Sequence, residues 1–295
     1  MTIVAGIAPG KPDRDGVEYA ALLARSAGTD LRVVCVVPGG AWPTPLPGGV
    51  DREYAAYASE AGDRDVAAVR ALLAELAPDV AATVLAARGR SVPSVLIAEV
   101  AACTATLVVL GAGADGAWGR VVVGSAADRL LHSSPVPVAV ATRGFRAAPG
   151  SRVGRVTVGF RGDSAAADVL GRAAELAGRL GAGLRVATFG VRGRTMYPPE
   201  VRGEEDVLAA YLEQTARAQR QALDELGPRG LLPADVESVT STGADWAEAV
   251  GGLPWGPDDL LVVGSSPAGL VSRVFLGSSA AKILRHSPVP VVVVP

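Results

Sequence analysis

The sequence predicts an α/β chain of two tandem doubly wound domains, each a parallel sheet with helices on both faces. Three observations carry that expectation. Short apolar runs alternate with helical patterns along the whole chain, which is the mark of strand-helix-strand units with right-handed crossovers. Apolar residues make up 49% of the 295 positions and aromatics only 4%, so the cores must be built of Ala, Val and Leu. That palette suits buried parallel strands under alanine-rich helices. Finally, one stretch occurs twice: an apolar run, a glycine-bearing loop, a Gly-Ser pair and a Ser-Pro-Val-Pro-Val close, at 107–138 and again at 260–291.

The elements follow in order. Residues 3–7 form a first strand that breaks at Ala8-Pro9-Gly10. Val17, Ala20, Ala21 and Leu23 give 16–26 an apolar helical side. A strand at 31–37 precedes a loop at 38–49 that holds four prolines and four glycines. Next come a long amphipathic helix at 52–76, a strand at 80–86, a short helix at 91–102 and the strand at 107–110. The second half repeats this as strand 155–160, helix 165–180, strand 184–189, loop 190–203 and helix 205–226. On that last helix Leu208, Tyr211, Leu212, Thr215, Ala218, Ala222 and Leu226 share one side. Strand 236–241, helix 245–250 and strand 260–263 then lead into the second copy of the glycine loop.

The two halves keep one register. Gly6 and Gly159, Gly111 and Gly264, Arg120 and Arg273, Gly124 and Gly277, and Pro135 and Pro288 are all 153 positions apart. Such a period is too long for a solenoid repeat and indicates duplication of a whole domain. Residues 143–155 lack periodicity and are rich in Gly, Ala and Pro, so the linker is expected there, between domains at 1–145 and 152–295.

Composition narrows the function. A formal charge of −2 gives no electrostatic basis for binding nucleic acid or an anionic membrane. No apolar run approaches the ~20 residues of a membrane span. The start of the chain has no basic segment followed by a long apolar stretch, as a secretion signal would. Cys35 and Cys103 each sit in an apolar run and read as reduced core residues, which fits a cytoplasmic chain. His132 and His286 are not equivalent, since Arg285 holds the His132 register, and each suits the last turn of a helix better than a catalytic role. With no zinc spacing and no paired acids in a glycine loop, an enzyme is not expected, and weak ATP hydrolysis is the remaining catalytic option.

In open parallel sheets ligands bind beyond the carboxyl ends of the strands, at the point where strand order reverses. The loops after the first and fourth strands of each half are therefore the places to look. Gly111 and Gly264 allow the backbone to turn directly after a buried strand and let a ligand approach the amides. Ser125 and Ser278 are expected to cap the following helices, with Asp128 completing a capping box, so that free N–H groups face an anion. Gly113, Ala114 and Ser265 line the same loops, and Arg120, Arg161 and Arg273 are candidate phosphate partners, with solvated ion pairs as the alternative. Gly111-x-Gly113-x-x-Gly116 matches a dinucleotide fingerprint but follows the fourth strand and is absent from the second half. Gly10-Lys11 continues into Pro12, so there is no P-loop.

These residues resemble the universal stress protein family in its tandem form. The resemblance rests on Gly111 with Gly124-Ser125, on Gly264 with Gly277-Ser278, and on the run from Ser272 through Gly277-Ser278 to His286-Ser-Pro-Val-Pro290. It implies a five-stranded parallel sheet in each domain, pairing of the domains as an intramolecular pseudo-dimer that can dimerise again, and a stress role without general catalysis. It also implies ATP, with or without Mg, as the ligand, a sensor or regulator as the function, and protein partners of unstated identity. Two departures weaken the ATP case. The middle glycine of the family loop is Ala114 in one copy and Pro267 in the other, and the aspartate that follows the first strand is replaced by Ala8 and Arg161. Losing that carboxylate removes a charge-assisted bond worth about 1.5–3 kcal/mol. Because Pro267 stiffens its loop, the first half is the slightly favoured site. The rival expectation is a nucleotide-free interaction module whose degenerate loops only shape the fold.

Overall fold

The computed structural model describes residues 2–10, 13–39, 50–113, 117–191, 204–230, 232–233, 235–267, 274–275 and 277–295. The chain forms two compact units, residues 1–118 with 122–152, and residues 153–295 with 119–121.

In the first unit the elements run β1 (Ile3–Ile7), α1 (Arg14–Ala27), β2 (Leu31–Pro38), α2 (Val50–Leu76), β3 (Ala82–Gly89), α3 (Val92–Cys103), β4 (Leu107–Leu110), α4 (Ser125–Leu131) and β5 (Val138–Val140). Every strand pairs in parallel with its neighbours, in the order β3-β2-β1-β4-β5. All five residues of β1 and all four of β4 are buried, as continuous apolar runs require of strands covered on both faces. Helix α1 packs beside α2, and α3 beside α4, which supplies the two covering layers. The chain leaves β1 toward β2 on one side and returns to β4 on the other, so the order reverses between β1 and β4.

The second unit repeats the plan with β6 (Arg155–Gly159), α5 (Ala166–Leu180), β7 (Gly183–Val191), α6 (Glu204–Leu226), β8 (Val236–Gly243), α7 (Trp246–Gly251), β9 (Asp259–Gly264), the two-residue strands β10 (Ser266–Pro267) and β11 (Val274–Phe275), α8 (Ser278–His286) and β12 (Val291–Val294). Its five long strands are again all parallel, ordered β12-β9-β6-β7-β8, with the reversal between β6 and β9. Helix α5 packs beside α6, and α7 beside α8.

Three expectations change in detail. The strand expected at 80–86 is β3, Ala82–Gly89, because its partner β2 extends the pairing as far as Pro38. The helix expected from 16 begins at Arg14, because the Asp13 carboxylate caps it by accepting from the Gly16 N–H. The aperiodic stretch 143–152 is packed on α1. Its Gly144 N–H donates to Asp15 Oδ2 at 2.7 Å, its Ala147 N–H donates to Glu18 Oε1 at 2.7 Å, and Phe145 is buried edge-on to Tyr19. Most of the loops expected at 38–49 and 190–203 lie outside the described residues.

Candidate functional site

Both reversal points present two loops at the carboxyl ends of adjacent strands, but the two units furnish them differently. In the first unit β1 gives way to Ala8, which is exposed, and Gly10, whose N–H donates to Asp65 Oδ2 on α2 at 3.0 Å. The turn into α1 carries Asp13. Its backbone is extended and its Oδ1 accepts from Gly16 N–H at 3.3 Å, which fixes the carboxylate over the first turn of the helix. The same carboxylate lies against Gly111. A methyl carbon built on that glycine would fall 1.5 Å from Asp13 Oδ2, so only the absence of a side chain at 111 lets the two coexist. Burial pushes the Asp13 carboxyl above the usual range, against the lowering effect of the Gly16 hydrogen bond.

Beyond Gly111 the loop folds back on itself. Gly113 N–H donates to Val122 O at 2.9 Å, and a methyl carbon on Gly113 would approach Gly124 N to 3.4 Å. The Gly113 amide is thus already engaged. Helix α4 is capped by Gly124, with φ −77° and ψ 169°, and receives no side-chain cap bond. Ser125 is already the first helical residue and exposed, so the expected serine cap and the capping box with Asp128 do not form. Asp128 instead faces His132 one turn on, at 3.7 Å. Arg120 donates from Nη1 to the His286 carbonyl at 2.8 Å, both within the second unit, which commits part of its guanidinium to structure. Ala114 lies outside the described residues.

In the second unit Gly159, Arg161, Asp163, Ala165, Ala166, Val169, Gly264 and Ser265 line a solvent-open cleft. Helix α5 starts behind Ala165, which offers no side chain to its first-turn amides, so those N–H groups carry no side-chain cap. Arg161 is partly exposed and pairs with Asp163 at 3.2 Å. Val169, not a carboxylate, packs on the strand end here: a methyl carbon on Gly264 would lie 2.3 Å from Val169 Cγ2. Ser265 N–H donates to Val294 O at 2.8 Å, and β10 pairs antiparallel with β11, Ser266 opposite Phe275. Gly277 caps α8 without a side-chain bond, and Ser278, like Ser125, is the first helical residue and exposed. Arg273 lies outside the described residues.

The structure therefore brings Ala8, Gly111, Gly113 and Gly124 to one strand-end cluster and Arg161, Gly264 and Ser265 to the other. The residue that loop spacing passed over is Asp13. Its signal was an acid at the cap position of the first amphipathic helix, three residues ahead of Gly16. Among the described residues no group of three or more His, Cys, Asp or Glu is placed to hold a metal ion, and no helix is long and apolar enough to cross a membrane.

Comparison with known proteins matches this architecture. The model of the universal stress protein family fits the chain twice, over residues 1–142 and 153–295. A universal stress protein of Mycobacterium tuberculosis is 40% identical over 295 residues, covering 100% of each chain, and one of Mycobacterium bovis matches to the same extent. The crystal structure of a universal stress protein from Archaeoglobus fulgidus superposes with a TM-score of 0.62 at 19% identity, over 99% of this chain and 97% of the other, a likeness of fold.

Proposed function

The chain belongs to the universal stress protein family, in two tandem copies, and from that membership we propose that it is a stress-response sensor or regulator that binds ATP or a related adenine nucleotide. The observation that carries this reading is the second unit's cleft. There the Arg161–Asp163 pair, a helix start without a side-chain cap and a glycine at the end of a buried strand line one open cleft. Backbone N–H groups at a helix start together with an arginine form an anion receptor. The second unit is accordingly the better site, although its loop carries Pro267. Mg would enter with the phosphates, since the described residues offer it no protein cage. The chain works by binding rather than turnover, in the cytoplasm.

Mass spectrometry of small molecules released from the purified chain, followed by calorimetric titration with ATP, tests this. Retained adenine nucleotide and saturable uptake that weakens in Arg161→Ala are expected. No uptake at about 1 mM ATP, equivalent to less than about 4 kcal/mol of binding, would overturn it. A second reading, the nucleotide-free interaction module, draws support from the first unit, where a carboxylate covers Gly111 and the Gly113 amide is already used.

A further inference from the structure

We infer that Asp13 is a specificity-determining residue that closes the first unit to phosphate-bearing ligands and leaves the second unit as the nucleotide site. The inference rests on the nucleotide reading above.

Three observations converge on it. The Asp13 carboxylate sits where an incoming anion would be received, over the first turn of α1 and against the Cα of Gly111, with Oδ2, Cγ and Oδ1 at 1.5, 2.2 and 2.6 Å from the place a side chain on 111 would begin. The helix is pressed onto the same spot, since a methyl carbon on Gly16 would lie 2.7 Å from Gly111 N. And in the other copy Ala166 holds the Asp13 register, Ala165 caps α5 without a side chain, and Asp163, a carboxylate that lines the opening, is paired with Arg161 at 3.2 Å.

A helix N-terminus and a strand-end glycine attract an anion through their amides, and one site cannot serve two anions at close range. Asp13 is the anion already in place. It is held in place by the fold, so a phosphate must either displace it or approach it as a like charge. An uncharged nucleoside meets no such opposition. The carboxylate thus divides ligands by charge rather than by shape.

Titration calorimetry on the full chain, with ATP and with adenosine, tests this on the native protein and on Asp13→Asn and Asp13→Ser. Both substitutions keep an acceptor at the cap position while removing the charge, so α1 retains its start. The native chain is expected to take up one ATP. The variants are expected to take up a second, bound at least about tenfold more tightly than any ATP in the native first unit, as removal of a like-charge contact implies. Gly124→Asp, which returns a carboxylate to the loop, should abolish that second site, and adenosine should bind all forms alike. Unchanged ATP stoichiometry and affinity in both variants overturns the inference, as does weaker binding, which would make Asp13 a receptor for ligand hydroxyls. If the native chain takes up no ATP while the variants take up one, the inference stands and the nucleotide reading of the native chain falls. ATP bound by none of the forms overturns both.

Discussion

Arg185 lies over the indole of Trp255, its guanidinium carbon 4.8 Å from the ring centroid, and it is wholly buried within the second unit. Its Nε donates to Thr157 Oγ1 and its Nη1 to the Pro254 carbonyl, both at 3.0 Å, while Nη2 stands 3.6 Å from Asp259. Burial first, and then the neighbouring Arg155, lower its pKa, so the charge is held against a desolvation cost. Arg185→Ala should destabilise the second unit by about 2–4 kcal/mol in chemical denaturation, because packing and two hydrogen bonds vanish together. Arg185→Lys should not restore it, since an ammonium cannot reach the hydroxyl and the carbonyl while stacking on the ring. A lysine variant as stable as the native chain would refute the stacked fork.

The strand-end glycines differ in what surrounds them. Gly264→Ala would drive a methyl carbon to 2.3 Å from Val169 Cγ2, whereas at Gly159 the nearest atoms stand at 3.7 Å, an ordinary contact. We expect Gly264→Ala to cost about 1–3 kcal/mol and Gly159→Ala to cost less than about 1 kcal/mol. Val169→Ala combined with Gly264→Ala should recover most of the loss. Thermal unfolding of the three variants gives the ordering.

The serines of the glycine loops are not caps, and Ser91 is. Ser91 accepts from the Ser94 N–H at 3.3 Å and starts α3. Ser91→Ala should lower stability by about 1 kcal/mol, and Ser125→Ala by less than about 0.5 kcal/mol. Equal losses in the two variants would show that Ser125 caps α4 after all.

Alkaline pH should destabilise the first unit through two buried acids. Burial raises the Tyr19 hydroxyl above its ordinary value, and burial together with the Asp65 charge pushes the Cys35 thiol up to about 11. Both groups favour the protonated state in the folded chain, so their contribution is complete below the unfolded values, near ~8.5 for thiol and ~10 for phenol, and is lost as pH rises through the folded ones. Urea midpoints measured between pH 8 and 11 should fall less steeply in Tyr19→Phe. Since the Tyr19 hydroxyl has no hydrogen-bond partner among the described residues, that variant should be neutral or slightly more stable at pH 8. At pH 8 a thiol reagent should modify Cys103, which is partly exposed, and spare Cys35.

The fold was legible because the central strands announced themselves as apolar runs and because the halves share one register, which also located β8, whose sequence VESVTSTG is largely polar. That register extends into backbone bonding. Gly113 bonds to Val122 where Ser266 pairs with Phe275, and Ser134 closes its turn onto Val136 as Ser287 does onto Val289, both at 2.7 Å. The site was legible only as a location. A Gly-Ser pair shows that a helix begins but not which of the two residues is the cap, since that depends on whether the serine backbone is extended or helical, and here glycine takes the extended place. Nor can sequence show that a carboxylate three residues beyond a break in pattern reaches a glycine about a hundred residues later. The packing of 143–152 was hidden for a related reason, because Phe145 is a single apolar anchor in a stretch with no period.

A cap that steadies a helix and a lock that shuts a receptor are here one carboxylate. A cap bond is worth about 1 kcal/mol, and it holds Asp13 in place although burial raises the carboxyl's pKa and so opposes its ionisation. Asp13 therefore makes the first domain easier to fold by the same interaction that makes it harder to use. A duplicated chain can tolerate that exchange, because stability gained in one copy does not cost the other its ligand. Removing the cap as well as the charge, as in Asp13→Ala, should trade in the opposite direction, yielding a chain that melts earlier and binds more.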